Sequence, residues 1–426
     1  MKHYQKTYEW LDMRLEKLAQ WPELSKLYKN AFLSTLETTT KILDDGTTYV
    51  FTGDIPAMWL RDSSAQVRHY IHLVNDDPDM KRLVSGLIER QFMYINYDPY
   101  ANAFNEHPDP KAGHIDDIPQ IKDMVWEQKF ELDSLMYPLW ILNLYYQMSK
   151  DDSIFTKTVI DGFETILEVI EIEMNHEEKS DYTFWRPNDD PIHSPKNNGV
   201  GLKTNDKSNL VWSAFRPSDD VCMYNFFIPG NQFVVLGLEI ISKYAKKDTA
   251  KRASLLANKI NDAIKKYGVI KHPKYGKMFA YETDGFGNYN LMDDANIPSL
   301  LALPYLGYVD INDRIYQNTR KFILSEDNPF YNKGKYAKGV GSPHTPDGYI
   351  WHIALISQAL TTKDVEEKKQ LLKMIMATHA DTYQMHEGFN PDNPSEFTRE
   401  WFSWANSLFA YFIDKNIDII DKLMAN

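Results

Sequence analysis

The residues that could do chemistry fall in five short segments. The first, 53–64, sets an indole at Trp59, a guanidinium at Arg61 and a carboxylate at Asp62, with Ser63 beside them. A forked cation and an adjacent carboxylate can hold the hydroxyls of one sugar ring from two sides. An aromatic face can cover the ring's C–H surface. The same residues also read as a loop-to-helix junction. In that reading Asp62 or Ser63 caps a helix carrying Gln66, Val67 and Tyr70.

The second segment, 211–220, contains Trp212 and ends Arg216-Pro217-Ser218-Asp219-Asp220. Ser218 is suited to cap a following helix, with Asp219 and Asp220 in its first turn. Two adjacent carboxylates beside Arg216 also suit a general acid, because burial and like-charge repulsion can raise one pKa. The third segment, Met385-His386-Glu387-Gly388-Phe389, puts Glu387 in a loop where it could activate a water. Glu396 and Glu400 compete for that part, and each also reads as a surface charge or a first-turn helix acid. The fourth, 339–352, is rich in Gly and Pro and could aim His344 and Trp351 at a ligand, although a single Trp such as Trp351 more often packs in the core. The fifth, 126–134, carries Trp126 and the acids Glu127, Glu131 and Asp133, which pair with Arg or Lys or line a pit.

Helices must position these segments. Helical periodicity predicts helices over 7–20, 22–39, 62–75, 81–98, 126–149, 151–176, 218–245 and 248–268. It predicts further ones over 297–306, 310–325, 349–360, 364–378 and 399–422. Helices with an apolar face alternate with more charged ones. Long loops at 105–123, 186–209, 281–294, 328–347 and 385–397 hold Trp, His, Asp, Glu, Pro and Gly. Such loops are usually functional or disordered, and this composition favours ordered loops that build a site. The pattern predicts an all-α (α/α)6 barrel, a toroid of inner and outer helices with a central pit, built as one domain over 1–426. Strand signals are confined to short hairpins near 47–52 and 269–280.

Composition narrows the function class. The net charge of −13 disfavours nucleic acid, whose phosphates need a basic footprint, and suits a neutral or cationic substrate. Aromatic residues make up 13%, more than a routine core needs. The one cysteine, Cys222, excludes an internal disulfide and a Cys-based zinc cluster. No GxSxG elbow, P-loop, GxGxxG or HExxH is present. The first residues lack the apolar core of a signal peptide, and no run approaches a membrane span, which reads as a soluble, cytoplasmic protein. The sequence leaves the oligomeric state open.

Taken together, the segments 55–64, 215–220, 341–346, 385–389 and 401–407 resemble family 125 of the glycoside hydrolases. The five motifs fall in order across nearly the whole chain. The resemblance implies an exo-acting α-1,6-mannosidase with an (α/α)6 fold and an inverting mechanism that needs no metal or cofactor. Its substrate would be the non-reducing terminal α-1,6-linked mannose of N-glycan-type oligosaccharides. Asp220 matches the family's general acid, and Glu387 is the chosen general base, with Glu396 and Glu400 nearby. Arg61 and Asp62 resemble the pair that grips the terminal sugar in related (α/α)6 glycosidases. The alternatives are another (α/α)6 glycosidase, glucoamylase-like or acting on unsaturated glucuronyl groups, or a carbohydrate-binding protein without turnover.

Overall fold

Five helices form an inner layer: Leu60–Val67, Leu132–Ser149, Ile228–Tyr244, His352–Leu360 and Ser403–Asn416. Leu60–Val67 packs on both Leu132–Ser149 and Ser403–Asn416, Leu132–Ser149 on Ile228–Tyr244, and His352–Leu360 on Ser403–Asn416. The segment ending in the short helix Leu303–Leu306 completes the ring; there the Ile297 carbonyl accepts from Tyr137 Oη at 2.9 Å. Outside lie Pro22–Ser34, Pro78–Tyr97, Lys157–Glu173, Lys247–Tyr267, Arg314–Ile323 and Val365–Met376. This is the expected (α/α)6 barrel. The computed structural model describes residues 3–187, 189 and 193–425; part of the predicted 186–209 loop lies outside them.

The two layers follow from how apolar residues are spaced. Lys247–Tyr267 buries Ala253, Leu256, Ala257, Ile260, Ala263 and Ile264, a three-and-four spacing that makes one apolar stripe. Its partner Ile228–Tyr244 is buried on nearly every face, as an inner helix must be. Burying each such Leu or Ile is worth roughly 1.5–3 kcal/mol relative to leaving it exposed.

The inner helices share a way of starting. Met58–Trp59 pairs with Ala103–Phe104 just before Leu60–Val67. Phe226–Phe227 pairs with Glu282–Thr283 before Ile228–Tyr244, and Ile350–Trp351 pairs with Gly388–Phe389 before His352–Leu360. Phe402 bridges to Gly53 just before Ser403–Asn416. The residues at these four junctions, Trp59, Phe227, Trp351 and Phe402, provide no side-chain cap. At three junctions a two-residue ladder, and at the fourth a single bridge, thus fixes the chain before it turns into the ring and collects aromatic residues and helix N-termini at one mouth of the barrel.

Several boundaries differ from the sequence reading. The helix predicted over 218–245 begins at Ile228, and Ser218 caps nothing. Asp219 sits at φ 65°, the Arg216 amide donates to the Asp220 carbonyl at 2.7 Å, and Phe215 bridges Val221, so 215–221 is a tight loop. Neither Asp62 nor Ser63 caps its helix. Asp62 Oδ1 accepts from Thr52 Oγ1 at 3.1 Å, and Ser63 Oγ donates to the Leu60 carbonyl. The helix predicted over 126–149 splits into the strand Val125–Glu127 and the helix Leu132–Ser149. The predicted hairpins form as Thr40–Ile42 with Thr48–Val50 and Val269–His272 with Gly276–Phe279.

Candidate active site

The aromatic mouth of the barrel holds a cavity of about 280 Å³. Trp59, Trp351 and Phe402 line it from three of the strand-to-helix junctions, and Trp404 adds a fourth ring. Arg61, Asp62, Asp219, His344, Glu387 and Arg399 supply its charged lining. Asp62 and Asp133 lie in the first turns of inner helices, where the dipole favours carboxylates.

Arg61 is buried on the cavity floor at 3% exposure. Its Nη1 donates to Glu131 Oε2 at 2.6 Å and to Asp133 Oδ2 at 3.1 Å, and its Nη2 donates to Asp219 Oδ1 at 3.5 Å. Its Nε lies 3.5 Å from Asp62 Oδ2. Burial pushes Asp133 up to about 6 against the pull of Arg61. Burial also pushes Glu131 well above the carboxylate range, and the neighbouring Asp219 charge adds to this. A side-chain hydrogen bond between Glu131 and Asp219 raises the pKa of the first and lowers that of the second. Asp219 is the opposite case. Burial opposes its ionisation, but Lys129, the bond with Glu131, Arg61 and His344 together hold it below the usual range. It is a fixed anion.

Asp220 lies at the cavity edge, and His344 Nδ1 is 3.2 Å from its Oδ1. Ser218 Oγ is 3.3 Å from Asp220 Oδ2 and 2.9 Å from Asp294 Oδ2. The His344 side chain is 37% accessible, so its desolvation is partial; the bond to Asp220 and the charges of Asp220, Glu387 and Asp219 outweigh that desolvation, and its pKa is pushed up to about 9. Glu387 accepts from Thr398 Oγ1 at 3.0 Å, and Arg399 Nη1 stands 3.8 Å from its Oε1. Burial raises its pKa, and Arg399 and His344 restrain the rise. Arg399 is itself anchored, with Nε donating to Asp54 Oδ1 at 3.0 Å and Nη2 to Thr52 Oγ1 at 3.1 Å.

The cavity lining includes Trp59, Arg61, Asp62, Asp219, His344, Trp351 and Glu387 from the sequence candidates, with Asp220 at its edge. The other candidates are placed elsewhere. Ser63 faces away and accepts from Gln91 Nε2 at 2.9 Å. Arg216 Nε is committed to Glu282 Oε1 at 2.7 Å, and Asp133 is buried beneath Arg61. Trp126 packs beside Ala57, Trp59 and Ala103, outside the lining. Glu396 is exposed and bonds to Asn390 and Asn393, and Glu400 is exposed as well. Sequence reasoning missed Arg399, Thr52 and Asn296. The one available signal was Arg399 itself, a cation between the Glu387 loop and the 401–407 motif. Among the described residues, no three of His, Cys, Asp or Glu group as metal ligands would, and no helix is long and apolar enough to cross a membrane.

The chain matches the family model described as metal-independent alpha-mannosidase (GH125) over residues 21–414. A solved alpha-mannosidase from Streptococcus pneumoniae is 40% identical with a TM-score of 0.95, covering 98% of this chain and 100% of that one. Its description places it among widely distributed metal-independent alpha mannosidases, concerns the processing of N-linked glycans, and reports a non-productive complex with alpha-1,6-mannobiose. The Meiotically up-regulated gene 157 protein of Schizosaccharomyces pombe is 39% identical over 427 residues, 94% of this chain and 83% of that protein. A solved glycosidase variant at 12% identity and TM-score 0.53, covering 92% of this chain and 97% of its own, shares the fold.

Proposed function

We propose that this chain, which belongs to the metal-independent alpha-mannosidases of family GH125, removes the non-reducing terminal α-1,6-linked mannose of N-glycan-type oligosaccharides with inversion. The linkage and the glycan class are supported by the S. pneumoniae relative, alike over nearly the whole of both chains. Exo action is supported by a small cavity with a charged floor, which takes a chain end.

In this reading Asp220 protonates the departing glycosidic oxygen. Glu387 takes a proton from the water that attacks the anomeric carbon from the opposite face. An inverting pair leaves roughly 6.5–9.5 Å between its carboxyls for that water. Asp62 and Arg399 receive hydroxyls of the terminal mannose, and Trp59 and Trp351 cover its apolar face. The observation that carries the assignment is that His344, which lines the cavity with Glu387, lies 3.2 Å from Asp220 and feels the charge of both carboxylates. Asp219, the rival acid, is held ionised and has no proton to give.

Asp220→Asn and Glu387→Gln test it. Each should lower kcat on an α-1,6-mannobioside by roughly 10²–10⁴-fold, while mannoside binding and thermal stability persist. Either variant keeping near-full activity removes that residue from its role. A protein that binds mannosides but never turns them over would contradict the enzyme reading.

A further inference from the structure

We infer that His344 stores the catalytic proton between turnovers and passes it to Asp220, an inference that rests on the assignment of Asp220 and Glu387 as acid and base. An inverting cycle ends with its proton on the wrong carboxyl: Asp220 has lost one and Glu387 has gained one. Something must carry it back. Asp220 also needs to be protonated when substrate arrives, although it lies in contact with a cation.

The geometry around His344 meets both needs. His344 Nδ1 is 3.2 Å from Asp220 Oδ1. Asp220 touches the ring, and the charges of Glu387 and Asp219 add to its pull. With three carboxylates around it, the imidazole stays cationic through neutral pH, its pKa pushed up to about 9. The loop that carries it is locked. Trp351 Nε1 donates to Thr345 Oγ1 at 2.9 Å, the His344 amide donates to Ser342 Oγ at 3.2 Å, and the Gly341 amide donates to the Phe330 carbonyl at 2.8 Å. The ring also lies edge-on to Trp351, with centroids 6.3 Å apart. Ser218 has one hydroxyl hydrogen, and its shorter contact is to Asp294, which leaves Asp220 Oδ2 with little claim on that hydrogen.

The steps balance. On substrate binding the His344 Nδ1–H bond breaks as an O–H bond forms on Asp220, turning an ion pair into a neutral pair. Asp220 then gives this proton to the glycosidic oxygen as the C–O bond breaks and its electron pair goes to the leaving alcohol. Glu387 meanwhile holds the proton taken from water. Water in the cavity conveys that proton to the now neutral imidazole, which is the stronger base, and the resting state returns. His344 acts through Asp220 and never meets the reacting atoms.

The test compares wild type, His344→Gln, His344→Ala and Asp220→Asn across pH on two substrates. One is α-1,6-mannobiose, whose leaving alcohol needs a proton. The other is α-mannosyl fluoride, whose fluoride departs without one. For His344→Gln on mannobiose, the basic limb of activity should move down by about one pH unit or more, a loss of roughly tenfold or greater at pH 8. The loss should shrink as the pH falls and solvent protons become more available. Activity on the fluoride should fall by a smaller factor than on mannobiose and without the added loss at high pH, and added imidazole should restore part of the His344→Ala activity at high pH. A loss that is uniform across pH and equal on both substrates would overturn the inference and leave His344 as a binding or packing residue, as would no loss at all. Melting curves for both His344 variants separate misfolding from chemistry. Asp220→Asn fails separately: if it hydrolyses mannobiose normally, the acid assignment itself is wrong.

Discussion

Arg61 shows how much one residue's environment decides. Its type and its neighbour Asp62 suggested a clamp on sugar hydroxyls, and both line the cavity. The structure adds that its guanidinium is already engaged by Glu131, Asp133 and Asp219, and stands close to Asp62. It holds a cluster of acids together, which leaves Asp62 better placed for the hydroxyls. The sequence could not show this, because Glu131 and Asp219 lie 70 and 158 residues away from it. Helical rotation explains why Ser63 dropped out. Successive residues point about 100° apart, so Arg61 and Asp62 meet the cavity while Ser63 turns toward Gln91. Arg61→Met should leave buried acids unpaired and cost about 3–5 kcal/mol, with activity lost in proportion to the disordered floor. Arg61→Lys should recover only part, since a compact ammonium lacks the planar, spread donors with which the guanidinium reaches its separate partners. Denaturant unfolding gives the measure, and a midpoint unchanged in Arg61→Met would show that the cluster does not depend on its cation.

At the scale of elements, the junction before each inner helix does the positioning. Helix existence was readable from apolar spacing, as in Lys247–Tyr267. Helix starts were less so. Ser218-Asp219-Asp220 carries the composition of a helix start yet forms a loop, because the bridge of Phe215 to Val221 and the later ladder at Phe226–Phe227 claim the chain first. Two-residue ladders leave no alternating pattern to detect. Gly53 is the most constrained part of this device. It sits at φ 137°, and a Cβ there would come within 2.3 Å of the Trp401 carbonyl oxygen. That oxygen accepts from the Asp54 amide, and Asp54 anchors Arg399. Gly53→Ala should therefore cost on the order of 1–3 kcal/mol through backbone strain, and it should lower kcat/KM by displacing Arg399 from Glu387. Melting curves and kinetics check this. A variant that loses stability but keeps full kcat/KM would separate the bridge from the site.

At the scale of the molecule, one apolar core runs from Leu11 to Leu423, and the site draws on residues from Thr52 to Trp404. The toroid makes this possible. Each turn of the ring returns the chain to the same mouth, so motifs far apart in sequence meet around one cavity. That is why the motifs, their order and the helical class could be read from the chain while the partners within the site could not. The charge of −13 accords with a neutral sugar substrate, which needs no electrostatic capture. The central claim is that this mouth hydrolyses an α-1,6-linked terminal mannose with inversion. Following the wild-type enzyme on an α-1,6-mannobioside by proton NMR from the first seconds tests it most directly. The account predicts β-mannose as the first-formed anomer, appearing before mutarotation adds the α form. First-formed α-mannose, or no mannose released at all, would contradict it.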